Sequence, residues 1–306
     1  MEMTRAETIK RLKGIFVPVV TPFGRGARLD EGRFRGNVTR YSELDLAGVV
    51  VAGSTGEGPY LQERERLRLV EIARNVIRPP QLLLASTGLE STQETIRLSR
   101  EAAARGADTL LIITPAYYRP RMEPAVLAAH YRAVADQVRK PILIYSIPQF
   151  TGVRLPADTV VALSRHPNIA GIKESSGDLR YMRAVLRGAG PRFAVLVGSA
   201  VIFLDALRAG AAGAVLGPAG FAPELCLAIY LAVCEGKLKI ARQMHQRLMG
   251  LVHDICLPYG VAGIKAAVDL SGYAGGLPRA PLAPLTETQR QKVAAALREF
   301  RISLEF

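Results

Sequence analysis

Ile169-Ala170-Gly171-Ile172-Lys173-Glu174 is a short, β-branched run whose only cation sits next to its end. A run of this length and composition reads as a strand buried on both faces, and such strands belong to parallel sheets covered by helices. Seven similar runs surround it: Ile15–Val20, Gly48–Ala52, Leu82–Ser86, Thr109–Ile113, Ile142–Ile147, Ala194–Gly198 and Ala214–Gly217. Between them lie stretches with apolar residues at helical spacing, predicted as helices over Glu63–Val76, Ser91–Arg105, Glu123–Val138, Pro156–Arg165, Leu179–Leu186 and Ile202–Ala209. Eight βα units favour a closed (β/α)8 barrel of the TIM type over an open sheet. After the eighth strand only helices are expected, over Pro223–Cys234, Leu238–Leu251, Val261–Leu270 and Glu287–Arg301, with a Pro- and Gly-rich loop at Gly272–Pro284. The expected organisation is a catalytic barrel over residues 1–222 and a helical appendage over residues 223–306.

In a barrel the active site gathers where the strands end, and strand side chains alternate in and out. Lys173 is expected to share the inward face with Ile169 and the small Gly171, near the catalytic mouth. Burying an ammonium is costly unless it is paired or neutralised, so this position favours the neutral amine that attacks a ketone. Lys265, in Gly263-Ile264-Lys265-Ala266-Ala267, has no such context. It is expected to be a structural lysine that pairs with a carboxylate or reaches the surface. Two other strand ends carry chemistry. Gly53-Ser54-Thr55-Gly56-Glu57 is a glycine-rich turn with two hydroxyls before a helix, suited to an anion. Tyr145-Ser146-Ile147-Pro148 places a phenol where it can shuttle protons.

The whole-chain composition narrows the alternatives. With 306 residues, 49% hydrophobic and 22% charged, the chain can bury a large core. The net charge of +13 is spread over segments such as Gln62-Glu63-Arg64-Glu65-Arg66, a solvated helix face, and no basic run is interleaved with stacking aromatics. Nucleic acid is therefore not an expected partner. The apolar stretch Leu225–Cys234 is too short to span a bilayer, and Met1–Lys13 has no secretory core, so a cytoplasmic protein is expected. Cys226, Cys234 and Cys256 read as buried free thiols. His130, His166, His245 and His253 are scattered, offering a metal no site, and Gly53–Gly58 lacks the lysine of a phosphate-binding P-loop.

Thr21-Pro22-Phe23, Gly53-Ser54-Thr55-Gly56-Glu57, Thr114-Pro115-Ala116-Tyr117-Tyr118, Tyr145-Ser146-Ile147-Pro148 with Thr151-Gly152, and Gly171-Ile172-Lys173-Glu174 occur together in this order. From about Gly14 to Pro284 the chain resembles the dihydrodipicolinate synthase and N-acetylneuraminate lyase family of class I pyruvate-dependent aldolases. The resemblance implies that Lys173 is the Schiff-base lysine and Tyr145 the general acid/base. It places Ser54 and Thr55 at the substrate carboxylate, one of them also in a proton relay, and sends Tyr117 into the active site of a neighbouring subunit. A dimer, usually paired into a tetramer, is implied with it. Gly198 and Val215 match positions that line the pyruvate pocket through their backbones. Ser175 is a candidate contact to the second carbonyl fragment, with capping of the next helix as the alternative. No cofactor is implied beyond the covalent imine, because the iminium itself withdraws electrons from the reacting carbon.

Phe150 stands where the synthase of this family has an arginine for the second substrate's carboxylate, and a phenyl ring cannot replace a bidentate guanidinium. Ala116 stands where the synthase often has a tyrosine of the lysine-feedback site. Other stretches resemble 4-hydroxy-2-oxoglutarate aldolase more closely. They are Leu83–Gly88 with Glu90-Ser91-Thr92-Gln93, Tyr117-Tyr118-Arg119, His166-Pro167-Asn168-Ile169, Gly272-Tyr273, Gly275-Gly276 and Arg279-Ala280-Pro281-Leu282. Thr55 departs from the asparagine typical of that aldolase. Gly198-Ser199-Ala200 lacks the acidic pair of a neuraminate lyase. The first expectation is cleavage of 4-hydroxy-2-oxoglutarate to pyruvate and glyoxylate. The alternatives are condensation of pyruvate with aspartate semialdehyde, and a keto-acid-binding barrel without catalysis.

Overall fold

Buried runs rich in Val, Leu and Ile satisfy their backbone by pairing, and parallel pairing requires a crossover each time. In the computed structural model, which describes residues 4–302, eight strands follow this rule. They are β1 (Gly14–Pro18), β2 (Gly48–Val51), β3 (Leu82–Ser86), β4 (Thr109–Ile113), β5 (Ile142–Ser146), β6 (Ile169–Glu174), β7 (Ala194–Val197) and β8 (Gly213–Val215). All pair in parallel in chain order, and β8 returns to β1 to close the barrel. Closure leaves no edge strand.

Helices α1 (Arg5–Arg11), α2 (Glu31–Ser42), α3 (Glu63–Arg74), α4 (Thr92–Ala104), α5 (Pro124–Gln137), the single turn α6 (Pro148–Thr151), α7 (Ala157–Leu163), α8 (Leu179–Ala189) and α9 (Phe203–Arg208) precede or connect the strands. The first two were not expected from sequence. In α2 the buried side chains Phe34, Val38 and Tyr41 have helical spacing, but Gly32, Gly36 and a polar majority dilute the signal. Helix α1 has a capping box at Thr4 and leads into Leu12, which packs into the base of the barrel interior.

Two cores result. Phe16, Val50, Leu84, Leu111, Leu143 and Leu196 fill the cylinder, while a larger layer lies between the strands and the surrounding helices. Each full burial of such a side chain contributes about 1.5–3 kcal/mol. The assignment of β6 corrects one expectation. Its pairing with β5 shifts register between Ile142 and Leu143, so Ile169 packs in the outer layer and Ala170 in the inner one. The irregularity adds a residue, after which Lys173 again faces inward beside Tyr145, its register partner on β5. Gly171 permits this close passage, because a Cβ there would lie 2.2 Å from the Ala194 carbonyl oxygen.

The tail comprises α10 (Pro223–Cys234), α11 (Leu238–Leu251), a π-helical turn at Val252–Cys256, α12 (Leu257–Leu270) and α13 (Glu287–Ile302). Regular helix in α12 follows a break at Gly260. Leu225, Ile229, Leu248, Ile264, Val293 and Leu297 join the same outer core as the barrel helices. The run Leu238–Leu270 is long and apolar enough by length and composition to cross a bilayer, yet half of its apolar window is buried within the protein. Cys226 is buried as expected, whereas Cys234 is exposed at the end of α10.

Candidate active site

Adjacent strands run about 4.8 Å apart, so inward residues at paired positions must touch. Lys173 and Tyr145 occupy such a pair, and the Lys173 Nζ lies 4.0 Å from the centre of the Tyr145 ring. Both side chains are buried, at 5% and 2% exposure. No carboxylate pairs with the Lys173 Nζ among the described residues. That separates Lys173 from Lys265, whose Nζ is 2.6 Å from Glu57 Oε1 and fully buried with it. Lys265 is therefore the structural lysine its setting suggested.

The β2–α3 turn brings a hydroxyl to the phenol. Ser54 Oγ and the Tyr145 hydroxyl are 3.1 Å apart, whereas Thr55, half-buried next to it, makes no side-chain hydrogen bond among the described residues. Of the two hydroxyls considered for a relay, Ser54 has the geometry. The turn is held by backbone bonds from Glu57 N to Ser54 O and from Gly58 N to Gly53 O.

Two further predicted residues meet at the end of β6 and β7. Gly198 donates its N–H to the Glu174 carbonyl, and a Cβ placed on it would lie 1.9 Å from Ser175 Oγ and 3.2 Å from Lys173 Cε. Only a glycine leaves room there. Ser175 does not cap the following helix, since that role falls to Asp178, which accepts from Tyr181 N at 3.0 Å. Its buried hydroxyl has no partner among the described residues. Val215 lies in the inner layer on β8, next to Phe16 of β1. Glu174 points out of the barrel. Its carboxyl accepts from Ser176 N, and burial raises its pKa above the usual carboxylate range.

Tyr117 does not join this cluster in its own chain. It is 78% exposed, packed edge-on against Tyr118, on a turn fixed by Glu90, whose Oε2 accepts from both Ala116 N and Tyr117 N at 2.8 Å. Phe150, on α6, is 70% exposed. The neighbouring Gln149 donates to the Ser175 carbonyl, bringing this segment to the end of β6. Sequence reasoning assigned no role to Glu57 or Glu90. Glu57 stood within a quoted motif, but its partner is remote in sequence and gave no local signal.

Among the described residues no group of three or more His, Cys, Asp or Glu side chains is placed to hold a metal ion. His130 and His245 are packing residues, and His166 pairs with Asp136 at 2.9 Å. A cavity of about 600 Å³ lies at the opposite end of the strands, where Lys13, Arg187, Ala194, Ala212 and Cys234 contribute to its lining. None of the residues gathered around Lys173 lines it.

A sequence model described as the dihydrodipicolinate synthetase family matches residues 11–300. The 4-hydroxy-tetrahydrodipicolinate synthase of Methanothrix thermoacetophila is 37% identical over 286 residues, covering 93% of this chain and 96% of that protein. Among solved structures, the 4-hydroxy-tetrahydrodipicolinate synthase of Methylacidiphilum fumariolicum SolV superposes with a TM-score of 0.90 at 31% identity, over 96% of this chain and 97% of that one. A prophage protein of the dihydrodipicolinic acid synthase family from E. coli K12, solved in complex with pyruvate, gives a TM-score of 0.88 at 28% identity, over 94% and 98%.

Proposed function

The chain belongs to the dihydrodipicolinate synthetase family, and from that premise we propose that Lys173 forms an imine with pyruvate and that Tyr145, relayed by Ser54, moves the protons for making or breaking a carbon–carbon bond. The observation that carries this is the buried, carboxylate-free Lys173 against the face of Tyr145, whose hydroxyl meets Ser54. The Lys173 amine adds to the ketone carbon, and the carbonyl oxygen leaves as water after two proton transfers. Loss of a methyl proton gives the enamine, whose carbon attacks the carbonyl of the second substrate while that oxygen takes a proton. Read backwards, the same steps are an aldol cleavage.

Ser54 and Thr55 present hydroxyls and turn N–H groups to the substrate carboxylate, with Gly198 and Val215 forming the opposite wall. Ser175 supplies an unpaired hydroxyl to the second fragment. The high exposure of Tyr117 supports a dimer in which it completes a neighbour's site, with pairing into a tetramer. The chemistry is carried by the covalent imine and calls for no metal or separate cofactor.

For the second substrate, the relatives' names support condensation of pyruvate with aspartate semialdehyde, ahead of the cleavage expected first from sequence. The cleavage of 4-hydroxy-2-oxoglutarate stands as a second reading because Phe150 offers a semialdehyde carboxylate no guanidinium. Borohydride reduction with pyruvate tests the shared chemistry, and intact mass with peptide mapping should place the adduct on Lys173. An adduct elsewhere, or turnover surviving Lys173→Met, refutes it. The larger specificity constant on the two candidate substrates then decides between the reactions. Pyruvate trapping with turnover of neither leaves the non-catalytic binding barrel.

A further inference from the structure

The Ser54 turn is held from the far end of the chain. Glu57, three residues beyond Ser54, is left-handed at φ 57° and only 1% exposed, a conformation a non-glycine residue keeps only when its surroundings enforce it. The enforcing groups come from the tail. Lys265 Nζ on α12 donates to Glu57 Oε1 at 2.6 Å, to the Thr21 carbonyl at 2.9 Å and to the Leu277 carbonyl at 2.7 Å. Those bonds use all three donors of an ammonium. The other carboxylate oxygen, Glu57 Oε2, accepts from Arg279 N at 2.7 Å. Thr21 Oγ in turn donates to the Gly56 carbonyl at 2.6 Å. One buried ion pair thus clamps the loops after β1 and β2 to the tail.

We propose that Lys265 and Glu57 are positioning residues, a buried strut that fixes the turn aiming the Ser54 hydroxyl at Tyr145 and so sets the rate of proton transfer on the pyruvate imine. The inference rests on the functional reading above. Neither side chain hydrogen-bonds to Lys173 or Tyr145 among the described residues, so the strut acts through the turn. A pair present solely for stability would tie these loops together too, but its loss would be indifferent to whether Ser54 carries a hydroxyl.

The test uses the full-length protein with pyruvate alone in deuterium oxide. Methyl proton loss followed by NMR reads imine–enamine exchange without any second substrate, and borohydride trapping reads the imine. In the otherwise native protein, Lys265→Met is expected to slow exchange at saturating pyruvate by about 10²-fold, the lower range for a positioned acid–base group, leaving half-saturation within about threefold. In a Ser54→Ala background the same substitution should slow it by less than about threefold, because the group it positions is already gone. If Lys265→Met does not fold, the neutral pair E57Q/K265M, which leaves no buried charge, carries the same comparison. Equal losses in both backgrounds, native exchange in a folded variant, or failure of both variants to fold overturns the proposal. If the unaltered protein neither traps nor exchanges pyruvate, the functional reading itself falls and the strut's assigned role goes with it.

Discussion

Replacing Gly198 with alanine tests how tightly the end of β7 is built against Lys173, the proposed imine-forming residue. The added methyl would stand 1.9 Å from Ser175 Oγ, 3.0 Å from Ser175 Cβ and 3.2 Å from Lys173 Cε, against an optimal carbon–carbon separation of about 3.5–4.0 Å. The Ser175 hydroxyl gives way first, since turning its χ1 forfeits no hydrogen bond within the described protein. The two carbon contacts remain and must be met by a small backbone shift at Ser175 and a displacement of the lysine stem. Overpacking of this kind costs about 1–3 kcal/mol, and the free hydroxyl argues for the lower end. At about 1.5–2 °C per kcal/mol in a chain of this size, the melting temperature should fall by only a few degrees. Chemistry should suffer far more, because displacing a reacting group by about 1 Å costs on the order of 10²-fold. Gly198→Ala is therefore expected to slow borohydride trapping of pyruvate by about 10- to 100-fold. Adding Ser175→Ala removes the hydroxyl clash but neither carbon contact, so melting temperature should recover only slightly while trapping stays slow. Native trapping in Gly198→Ala, or full recovery in the double variant, would refute the assignment of the lysine contact as the cause.

Three more expectations follow from single contacts. Burial lowers the pKa of His130 to about 4, so below the unfolded value near 6.5 the unfolded chain takes up a proton that the folded chain refuses. Its contribution is intact above that pH and is lost as pH falls toward 4, about 3 kcal/mol in all; in His130→Asn, a plot of melting temperature against pH should be flatter across this window, and parallel curves would contradict it. Phe150→Arg should raise the specificity constant for aspartate semialdehyde relative to 4-hydroxy-2-oxoglutarate by about tenfold or more, and an unchanged ratio would mean that the ring does not face the second substrate. Glu90→Gln keeps an acceptor but removes the charge-assisted part of two backbone bonds under Tyr117, a loss of about 1 kcal/mol; steady-state turnover should drop several-fold with trapping at Lys173 preserved, and equal loss of both would point to general unfolding.

Period and composition located all eight strands, since fully buried parallel strands leave uninterrupted apolar runs between turn residues. The lysine-bearing strand was readable, but not its register. The alternation of Ile169, Gly171 and Lys173 looked regular in sequence, and only pairing with β5 reveals the extra residue that turns Ile169 outward. Helix α2 escaped notice because a helix needs only a narrow apolar stripe when its polar face is wide. At the site, the motifs named the hydroxyl-bearing turn, while the hydrogen bond of Ser54, and not Thr55, to Tyr145 depended on a side-chain direction that sequence does not encode. The Glu57–Lys265 pair was hidden for a different reason. Its members are 208 residues apart, and nothing local to either one specifies the other.

That separation also orders events during synthesis. By residue 222 a ribosome has delivered every strand of the cylinder, Lys173 and Tyr145 included, yet the cation that neutralises Glu57 is still untranslated. At that stage the turn at Glu57 lacks the Lys265 and Arg279 bonds that hold it in the folded chain. The Ser54 turn therefore gains its full set of bonds only after residues 265–279 have followed the strands.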